Sequence, residues 1–240
     1  MFEQREPSSM PRKILAIETS SEACSVAVSY AGDTLFRHID QPRQHAQRVL
    51  PMVQELMQES GLSLAELDAI AFGRGPGAFT GLRIAAGIVQ GLAYGADLPV
   101  AAVSSLAVLA HRAGREWGAQ HVHAAFDARM GEVYWGSYEI GGPGQVTLVG
   151  RECVCAPDDV AAAAGVKPAA GWSGAGSGWI YQKPLELSTG ALQHCEPLLL
   201  PHSLDLLALA DTALVVGELI TAEQVLPVYL RNNVAEKSKK

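Results

Sequence analysis

The residues best suited to bind a charged ligand form the acidic and hydroxyl-bearing segment Glu18-Thr19-Ser20. The apolar run Lys13-Ile14-Leu15-Ala16-Ile17 before it predicts a strand, and residues 23–30 alternate in polarity as a second strand does. A hairpin whose tip carries a carboxylate and hydroxyl groups can approach a phosphate and its metal ion. The same spacing also fits a plain hairpin turn, so both interpretations stay open.

The most constrained stretch of the chain is the glycine-rich turn at residues 73–83, which reads Gly-Arg-Gly-Pro-Gly-Ala-Phe-Thr-Gly-Leu-Arg. The apolar residues 69–72 before it predict a buried strand, and the long proline-free segment after it predicts a helix. Thr80 is the expected N-cap of this helix, although Ala78 or Phe79 could equally open it. Glycine is required where the backbone is left-handed or approaches another element closely.

Two known phosphate-binding motifs resemble this turn without matching it. The dinucleotide fingerprint needs an acidic residue at the end of the following strand, and that strand ends at Val103-Ser104. The P-loop needs a Lys-Ser or Lys-Thr pair after its glycines, and neither pair follows here. Neither motif therefore predicts nucleotide binding at the turn.

Three glycines at four-residue intervals, Gly87, Gly91 and Gly95, fall on one face of the predicted helix. A glycine inside a helix costs roughly 1 kcal/mol relative to alanine. This row of glycines therefore predicts that another element packs very close to this face. That element is either the chain's own sheet or neighbouring helix, or a helix of another subunit.

Composition restricts the class of protein. The 240 residues have a net charge of -7, with 48% hydrophobic and 18% charged residues, which is typical of a globular protein. The negative charge argues against a free-standing nucleic-acid-binding protein, but it permits one that sits beside a basic partner. Residues 1–13 lack the apolar core of a signal peptide, and no run is apolar enough for a membrane helix. We therefore expect a cytoplasmic protein, without membrane contact, whose four cysteines are reduced.

Residues that could bind a metal or act as nucleophiles form no recognised pattern. His121 and His123 share a strand face without an evident third ligand, and Cys153-x-Cys155 has the wrong spacing for a zinc knuckle. The sequence contains no His-x-x-x-His pair and no Gly-x-Ser-x-Gly elbow. We therefore predict no catalytic residue and no metal site.

The order of predicted elements indicates an α/β protein of mixed sheets flanked by helices. Residues 1–103 are predicted as an N-terminal lobe and residues 104–202 as a C-terminal lobe. The apolar helix at 203–220 could pack back on the N-terminal lobe. Residues 221–240 are predicted as an extended tail, disordered at Glu236–Lys240.

Two predicted helix boundaries depend on single residues. Proline lacks a backbone N–H and is tolerated in the first turn of a helix, so Pro51 suggests that the helix at 44–60 begins near Leu50. The apolar helix near the end of the chain is expected to be capped by Ser203 or Asp205.

Four blocks of sequence together resemble one protein family, TsaB, which is also called YeaZ. The blocks are Ile14–Ser20, Ala71–Ile84, Asp127–Tyr134 and Pro227–Arg231, and they occur in the order typical of the family. The resemblance extends from about residue 13 to 235. It implies a two-lobed actin-like α/β fold, the ASKHA type also found in Hsp70 and sugar kinases.

The resemblance also implies a function in making N6-threonylcarbamoyladenosine (t6A), the modified base beside the anticodon of tRNAs that read codons beginning with A. In this family TsaB is a non-catalytic paralogue of the catalytic subunit TsaD and works with TsaD and the ATPase TsaE. It pairs with TsaD, or with a second TsaB when TsaD is absent, and reaches tRNA only through the complex. The implied protein is an accessory subunit that binds no cofactor tightly, with ATP or ADP bound at most in the complex.

The resemblance places the partner surface on the helices at about residues 44–60 and 79–95. The residues implied at this surface are Gly75, Phe79, Thr80, Arg83, Gly87, Gly91, Gly95, Val49 and Val53. Small residues there would let two helices approach closely.

Three residues depart from the family pattern: Glu18 replaces Asp, Ala78 replaces Ser, and His202 replaces Arg. In actin-like ATPases the Asp helps to hold the metal ion of the phosphate, so Glu18-Thr19-Ser20 is implied to be a vestigial cofactor-binding loop. The alternative hypothesis is an independent ATP-binding ATPase or kinase-like enzyme. It would bind the nucleotide through residues 18–21 and the turn Gly174-Ala175-Gly176-Ser177-Gly178.

Overall fold

The computed structural model describes residues 11–41 and 44–231, which form two five-stranded sheets flanked by helices. The first sheet contains β1 (Ile14–Glu18), β2 (Cys24–Tyr30), β3 (Asp33–Ile39), β4 (Ala69–Gly75) and β5 (Val100–Ser104). The second contains β6 (His121–Asp127), β7 (Val133–Gly142), β8 (Gln145–Cys155), β9 (Trp172–Ala175) and β10 (Leu192–Glu196). The α-helices are α1 (His45–Ser60), α2 (Phe79–Ala96), α3 (Ser105–Trp117), α4 (Val160–Ala164), α5 (Gln182–Thr189) and α6 (Ser203–Val216).

The first sheet has the strand order β3-β2-β1-β4-β5. β1 pairs antiparallel with β2 and parallel with β4, so it lies at the centre of the sheet. All five of its residues are buried, which explains why its sequence is a continuous apolar run rather than an alternating one. Because β1 and β4 are parallel, their last residues, Glu18 and Gly75, lie at the same edge of the sheet.

The second sheet has the strand order β10-β9-β6-β7-β8. β6, β7 and β8 form an antiparallel meander, whereas β9 runs parallel to β6, and β10 runs parallel to β9. Trp135 and Trp179 are fully buried in one core of this lobe. The two edge strands of the sheet are β8 and β10.

Helices cover both faces of the first sheet and connect it to the second. On one face, α1 and α2 contribute Val49, Val53 and Val89 to the core. On the other face, α6 packs against β1, β2, β4 and β5. α3 joins the two lobes, because Val108 packs in the core of the first sheet and Leu109 in that of the second.

A buried carboxylate fixes α6 to α3. Asp205 is fully buried and accepts hydrogen bonds from Arg115 Nε (2.9 Å) and His111 Nδ1 (2.8 Å). The Nε2 atom of His111 accepts a hydrogen bond from the N–H of Gly144 (3.0 Å). Burial acts to raise the pKa of Asp205, but the hydrogen bonds from His111 and Arg115 outweigh burial and lower it.

The tail segment, residues 225–231, runs from the first lobe to the second. The N–H of Val228 donates to the carbonyl oxygen of Arg74 (2.7 Å), within the glycine-rich turn. Arg231 forms an ion pair with Glu132, which lies between β6 and β7. The tail segment thus contacts both lobes.

Helix α1 begins at His45, so the prediction of a start near Leu50 is wrong. Pro51 lies inside the helix and is exposed to solvent. The carbonyl group that loses its helical partner belongs to Gln47, which is exposed as well, so water can replace the missing N–H.

Helix α6 is capped by His202 rather than by Ser203 or Asp205, which corrects the predicted cap. The Nδ1 atom of His202 accepts a hydrogen bond from the N–H of Leu204 (3.1 Å). Burial lowers the pKa of His202 to about 4, so its ring is neutral and can accept this bond at neutral pH. The departure from the family pattern at this position therefore has a structural role.

Two expectations concern the end of the chain and the membrane. The predicted disorder at Glu236–Lys240 lies outside the residues that the structure describes. Residues 226–231 form neither helix nor strand. Across 11–41 and 44–231, no helix combines the length and the apolar character needed to cross a bilayer.

Candidate functional site

The segment Glu18-Thr19-Ser20 is bonded directly to the glycine-rich turn after β4. Thr19 Oγ1 donates to the carbonyl oxygen of Gly81 (2.8 Å), and the N–H of Ala78 donates to the carbonyl oxygen of Ser20 (2.7 Å). These bonds connect the chain that leaves β1 with the chain that leaves β4, at the same edge of the sheet. The two stretches lie far apart in the sequence, yet in the structure they form one site.

Three glycines of the turn are required by this close approach. A Cβ atom at Gly73 would overlap the carboxylate of Glu18. At Gly77 or Gly81 it would overlap backbone carbonyl oxygens of residues 19 and 20. At Gly77 and Gly81 glycine is needed because two backbones touch, and at Gly73 because the buried Glu18 side chain lies against the backbone, so no ligand is needed to explain them.

Glu18 is buried in this contact, with 1% of its surface exposed. Its Oε1 atom accepts the N–H of Ser20 (2.6 Å), but Oε2 has no hydrogen-bond partner among the described residues. Burial raises the pKa of Glu18, and the hydrogen bonds from Ser20 oppose that change only in part. Burial therefore makes this carboxyl group hold its proton more strongly than an exposed glutamate does.

These residues do not fit a bound nucleotide in the observed arrangement. Phosphate binding needs free backbone N–H groups, but those of Ser20 and Ala78 already donate within the site. A carboxyl group that favours its proton is also a poor ligand for the metal ion of a phosphate. The glycine turn at residues 174–178 is closed in the same way, since a Cβ atom at Gly176 would overlap the backbone of Ala125.

The outer face of α2 carries the second set of glycines. A Cβ atom at Gly87, Gly91 or Gly95 would meet no other atom of the described residues within 4 Å. The explanation that the chain's own sheet or helix packs closely against these glycines is therefore wrong for the part of the chain that the structure describes. The glycines on the two faces of α2 thus differ: Gly81 contacts the segment at 18–20, and the other three face open space.

Helix α2 begins at Phe79, directly after the extended residue Ala78, so Thr80 lies in its first turn and is not the N-cap. Thr80 is therefore wrong as the N-cap, and the alternative that Ala78 and Phe79 open the helix is confirmed. Thr80 is exposed, like Phe79, and both lie at the N-terminal end of the glycine-bearing face. They remain available to a partner.

An exposed cluster of Phe79, Arg83 and Tyr229 lies at this end of α2. The Arg83 guanidinium carbon is 3.8 Å from the centroid of the Phe79 ring. Arg83 Nε donates to Tyr229 Oη (3.0 Å), and the rings of Phe79 and Tyr229 are 5.4 Å apart. Half of the Phe79 surface is exposed (50%), although the ring is large and apolar. Aromatic and arginine side chains of this kind are enriched in protein–protein hot spots.

Three residues predicted at the partner surface lie inside the chain instead. Val49 and Val53 are 0% and 5% exposed and belong to the core beneath α1. Gly75 is buried, its N–H donates to Ser105 Oγ (3.2 Å), and its φ of 101° is left-handed. This is a correction: the apolar periodicity of α1 marks its core face, so these residues support the fold and cannot touch a partner directly.

Residues that the sequence did not single out lie beside the glycine line. A shallow groove of about 320 Å³ is lined by Gly87, Gln90, Gly91, Tyr94 and Glu223. Tyr94 is 73% exposed. Helical spacing could have identified Gln90 and Tyr94, which follow Gly87 by three and seven positions. Glu223 is distant in sequence, and no local pattern indicates its position.

The histidines do not form a metal site with other side chains. Within the described ranges, no three His, Cys, Asp or Glu side chains are grouped so that they could hold a metal ion. The ring of His123 stacks on Trp172 with their centroids 4.2 Å apart, and Nδ1 lies 3.0 Å from Ser137 Oγ. Burial lowers the pKa of His123 to about 3, so the ring packs as a neutral aromatic group.

Comparison with known proteins relates the whole chain to one family. The family model described as "TsaD: tRNA N6-adenosine threonylcarbamoyltransferase" matches residues 40–178. The chain is 44% identical over 227 residues to "tRNA threonylcarbamoyladenosine biosynthesis protein TsaB" of Escherichia coli (strain K12), covering 94% of this chain and 97% of that protein. It is 40% identical over 235 residues to the protein of the same name from Haemophilus influenzae, covering 93% and 95%.

A solved structure agrees with the sequence comparison. YeaZ from Pseudomonas aeruginosa is 52% identical, has a TM-score of 0.84, and covers 91% of this chain and 100% of that chain. This likeness and the two mixed sheets confirm the expected two-lobed actin-like α/β fold. The chain therefore belongs to the TsaB (YeaZ) family.

Proposed function

We propose that this chain is a non-catalytic subunit of the machinery that makes t6A in tRNA. Relatives that cover most of the chain are named for threonylcarbamoyladenosine biosynthesis, and involvement in that pathway follows from membership of their family. In the finer proposal, the chain pairs with a TsaD-like catalytic subunit and activates it, together with a TsaE-like ATPase. Alone in the cytoplasm, the chain forms a homodimer through the same surface.

The observation that carries this proposal is the open outer face of α2. Gly87, Gly91 and Gly95 leave the helix backbone accessible, with no atom of the described residues within 4 Å of their Cβ positions. Interior glycines weaken a helix, so a helix that carries three on its solvent side gains from them only when a partner packs there. A helix of a paralogous subunit fits such a face, because backbones can approach closely where side chains are absent.

The partner surface that we propose extends beyond the glycines. Phe79, Thr80 and Arg83 lie at one end, where Arg83 is held between two aromatic rings. Tyr94 lies beside the groove at the other end. The surface has the composition of a binding hot spot, with aromatic groups and arginine around an accessible backbone.

The proposal that this subunit is non-catalytic rests on the chemistry of the segment at residues 18–20. Its backbone N–H groups are used within the chain, and burial favours the protonated form of the Glu18 carboxyl. In this proposal, ATP binds to the other subunits or between subunits, and tRNA contacts the complex mainly through the catalytic partner.

Threonylcarbamoyl transfer to unmodified tRNA tests the function. The TsaD-like and TsaE-like proteins are combined with tRNA, ATP and an activated threonylcarbamoyl donor, and the chain is added or withheld. We expect transfer only when the chain is added, and none from the chain alone. Transfer at an equal rate without the chain would contradict the proposal. Micromolar ATP binding by the isolated chain in calorimetry would instead favour the independent ATPase.

A pair of substitutions tests the surface separately from the function. Gly91→Leu places a branched side chain on the open face, and we expect it to abolish complex formation while the thermal unfolding of the isolated chain stays cooperative. Lys183→Leu is the matched control, because it adds the same side chain to an exposed position of α5 in the second lobe. Normal assembly of Gly91→Leu with the TsaD-like subunit would show that the surface is assigned wrongly.

A further inference from the structure

Two thiols lie side by side on the edge strand β8. Cys153 and Cys155 are two residues apart on this strand, so their side chains point to the same face of the sheet. Their Sγ atoms are 3.8 Å apart. Both residues are only partly buried, and β8 has a neighbouring strand on one side alone. The two side chains pack at the margin of the core that contains Trp135 and Val160, and each residue keeps part of its surface exposed to a small reagent.

The two thiols are not equivalent. The hydrogen bond between the two thiols lowers the pKa of Cys153, burial and the charge of Glu152 oppose that change, and the nearby charge of Arg151 supports it. The same hydrogen bond, together with burial, raises the pKa of Cys155. Because the thiolate is the nucleophile in exchange reactions, Cys153 is placed to attack first and Cys155 to act second.

The other two cysteines supply internal controls. Burial raises the pKa of Cys24 and of Cys195 to about 11, so neither is activated. Cys195 lies on β10, at the opposite edge of the sheet from β8. Strands are spaced about 4.8 Å apart, so four strand intervals place β10 about 19 Å from β8. A cross-link between Cys195 and the pair cannot form in the folded chain.

We propose that Cys153 and Cys155 form a dithiol site that exchanges with low-molecular-weight disulfides such as oxidised glutathione. The Cys153 thiolate attacks one sulfur of oxidised glutathione, the disulfide bond breaks, and one glutathione thiolate leaves. Cys155 then attacks the Cys153 sulfur of the mixed disulfide and expels the second glutathione. The two thiol protons end on the two glutathione molecules, and the chain holds a Cys153–Cys155 disulfide.

The ring that results is expected to be easily reduced. Alternate residues of a strand are about 6.7 Å apart at Cα, near the upper limit for a disulfide. The sulfur atoms must also approach from 3.8 Å to bonding distance, which requires β8 to bend. Strained disulfides of this kind have more oxidising potentials, so the site cycles with the thiol pool rather than forming a permanent crosslink.

Incubation of the full folded chain with oxidised glutathione, followed by peptide mass spectrometry, tests the site. We expect the peptide with Cys153 and Cys155 to lose two hydrogen atoms, while Cys24 and Cys195 stay reduced, and a dithiol reductant to reverse the change. Modification of Cys195 at the same rate, or oxidation of neither residue of the pair, would overturn the proposal.

Single substitutions separate the two roles. Cys155→Ser is expected to stop at a stable mixed disulfide on Cys153, and Cys153→Ser to react more slowly at position 155, because burial still raises the pKa of that thiol once the hydrogen bond to Cys153 is lost. Cys195→Ser is the matched control and is expected to behave as the unchanged chain. Phenylarsine oxide, which bridges neighbouring thiols with loss of water, gives an independent readout. We expect Cys195→Ser to bind phenylarsine oxide, and Cys153→Ser and Cys155→Ser not to bind it. Equal binding by all three variants would contradict the assignment.

Discussion

The Glu18 carboxyl group is buried with one oxygen unsatisfied, an arrangement that costs free energy whenever the group is ionised. The neighbouring backbone N–H of Ser20 satisfies only the other oxygen. A residue type that looks suited to hold a metal ion thus packs against Gly73 as a buried group whose pKa is raised by burial. The surroundings of the residue, rather than its type, decide its chemistry.

The substitution Glu18→Gln is therefore expected to stabilise the fold at neutral pH. The amide keeps an acceptor for Ser20 and removes the buried charge, so we expect a gain of about 1–3 kcal/mol in the free energy of unfolding. Burial raises the pKa of Glu18 in the folded state. Above the pKa of Glu18 in the unfolded chain, the folded form of the original protein therefore binds more protons than its unfolded form does. Its stability relative to the variant is then greatest at low pH and falls as pH rises through the folded pKa.

Urea unfolding of both proteins between pH 4 and 8 measures this difference. Glu22→Gln is the control, because Glu22 is exposed two residues after Ser20 and should show no pH-dependent gain. A difference between Glu18→Gln and the original chain that stays constant with pH would mean that Glu18 does not hold its proton in the folded state.

Single residues also show where sequence reasoning reaches its limit. The sequence correctly singled out Glu18-Thr19-Ser20 and the glycine-rich turn, but nothing local indicates that they bond to each other across more than fifty residues. The family resemblance implies Val49 and Val53 at a partner surface, although a regular apolar face predicts burial in the chain's own core just as well. Only the packing of the whole lobe distinguishes the two outcomes.

At the scale of elements, α2 is a helix with two glycine faces of opposite meaning. Gly81 faces inward, where a Cβ atom would overlap the backbone of Thr19. Gly87 faces outward, where a Cβ atom would meet no described atom within 4 Å. The same substitution in the same helix should therefore have opposite effects on stability.

We expect Gly87→Ala to stabilise the isolated chain by about 1 kcal/mol, since alanine favours the helix and meets open space. Gly81→Ala should destabilise it by about 1–3 kcal/mol, because the segment at 18–20 must move. Denaturant unfolding of each variant measures both effects, and each serves as the control for the other. Equal changes in the two variants would show that the faces of α2 are assigned wrongly.

The elements that sequence patterns predicted well are those with strong local signals. β1, β4 and β5 are short runs of mostly apolar residues, and Ser104 at the end of β5 caps α3 by accepting from the N–H of Ala107. By contrast, α5 and β10 were not predicted. Both are short, and β10 is an edge strand with exposed residues, so pairing with β9 rather than local preference decides its conformation.

At the scale of the whole molecule, several contacts among the described residues join the lobes, including a hydrogen bond from Ser104 in β5 to Glu152 in β8. Helix α3 packs on both cores, and Asp205 binds Arg115 and His111 between α6 and α3. At the other side, the tail segment bonds to Arg74 in the first lobe and to Glu132 in the second. The tail segment also places Tyr229 against the proposed partner surface. The position of that ring therefore depends on an anchor in the second lobe.

Removal of this anchor by Arg231→Ala should loosen the tail segment without unfolding either lobe. The Arg231–Glu132 pair is partly exposed and is worth about 0.5–1 kcal/mol, so the amide of Val228 should exchange about two- to fivefold faster with deuterium. Arg37→Ala is the control, because it breaks partly exposed ion pairs with Glu55 and Glu59 in the first lobe and should leave Val228 unchanged. If Val228 exchanged equally in Arg231→Ala and the original chain, the bond to Arg74 alone would hold the tail segment. The position of Tyr229 would then be independent of the second lobe.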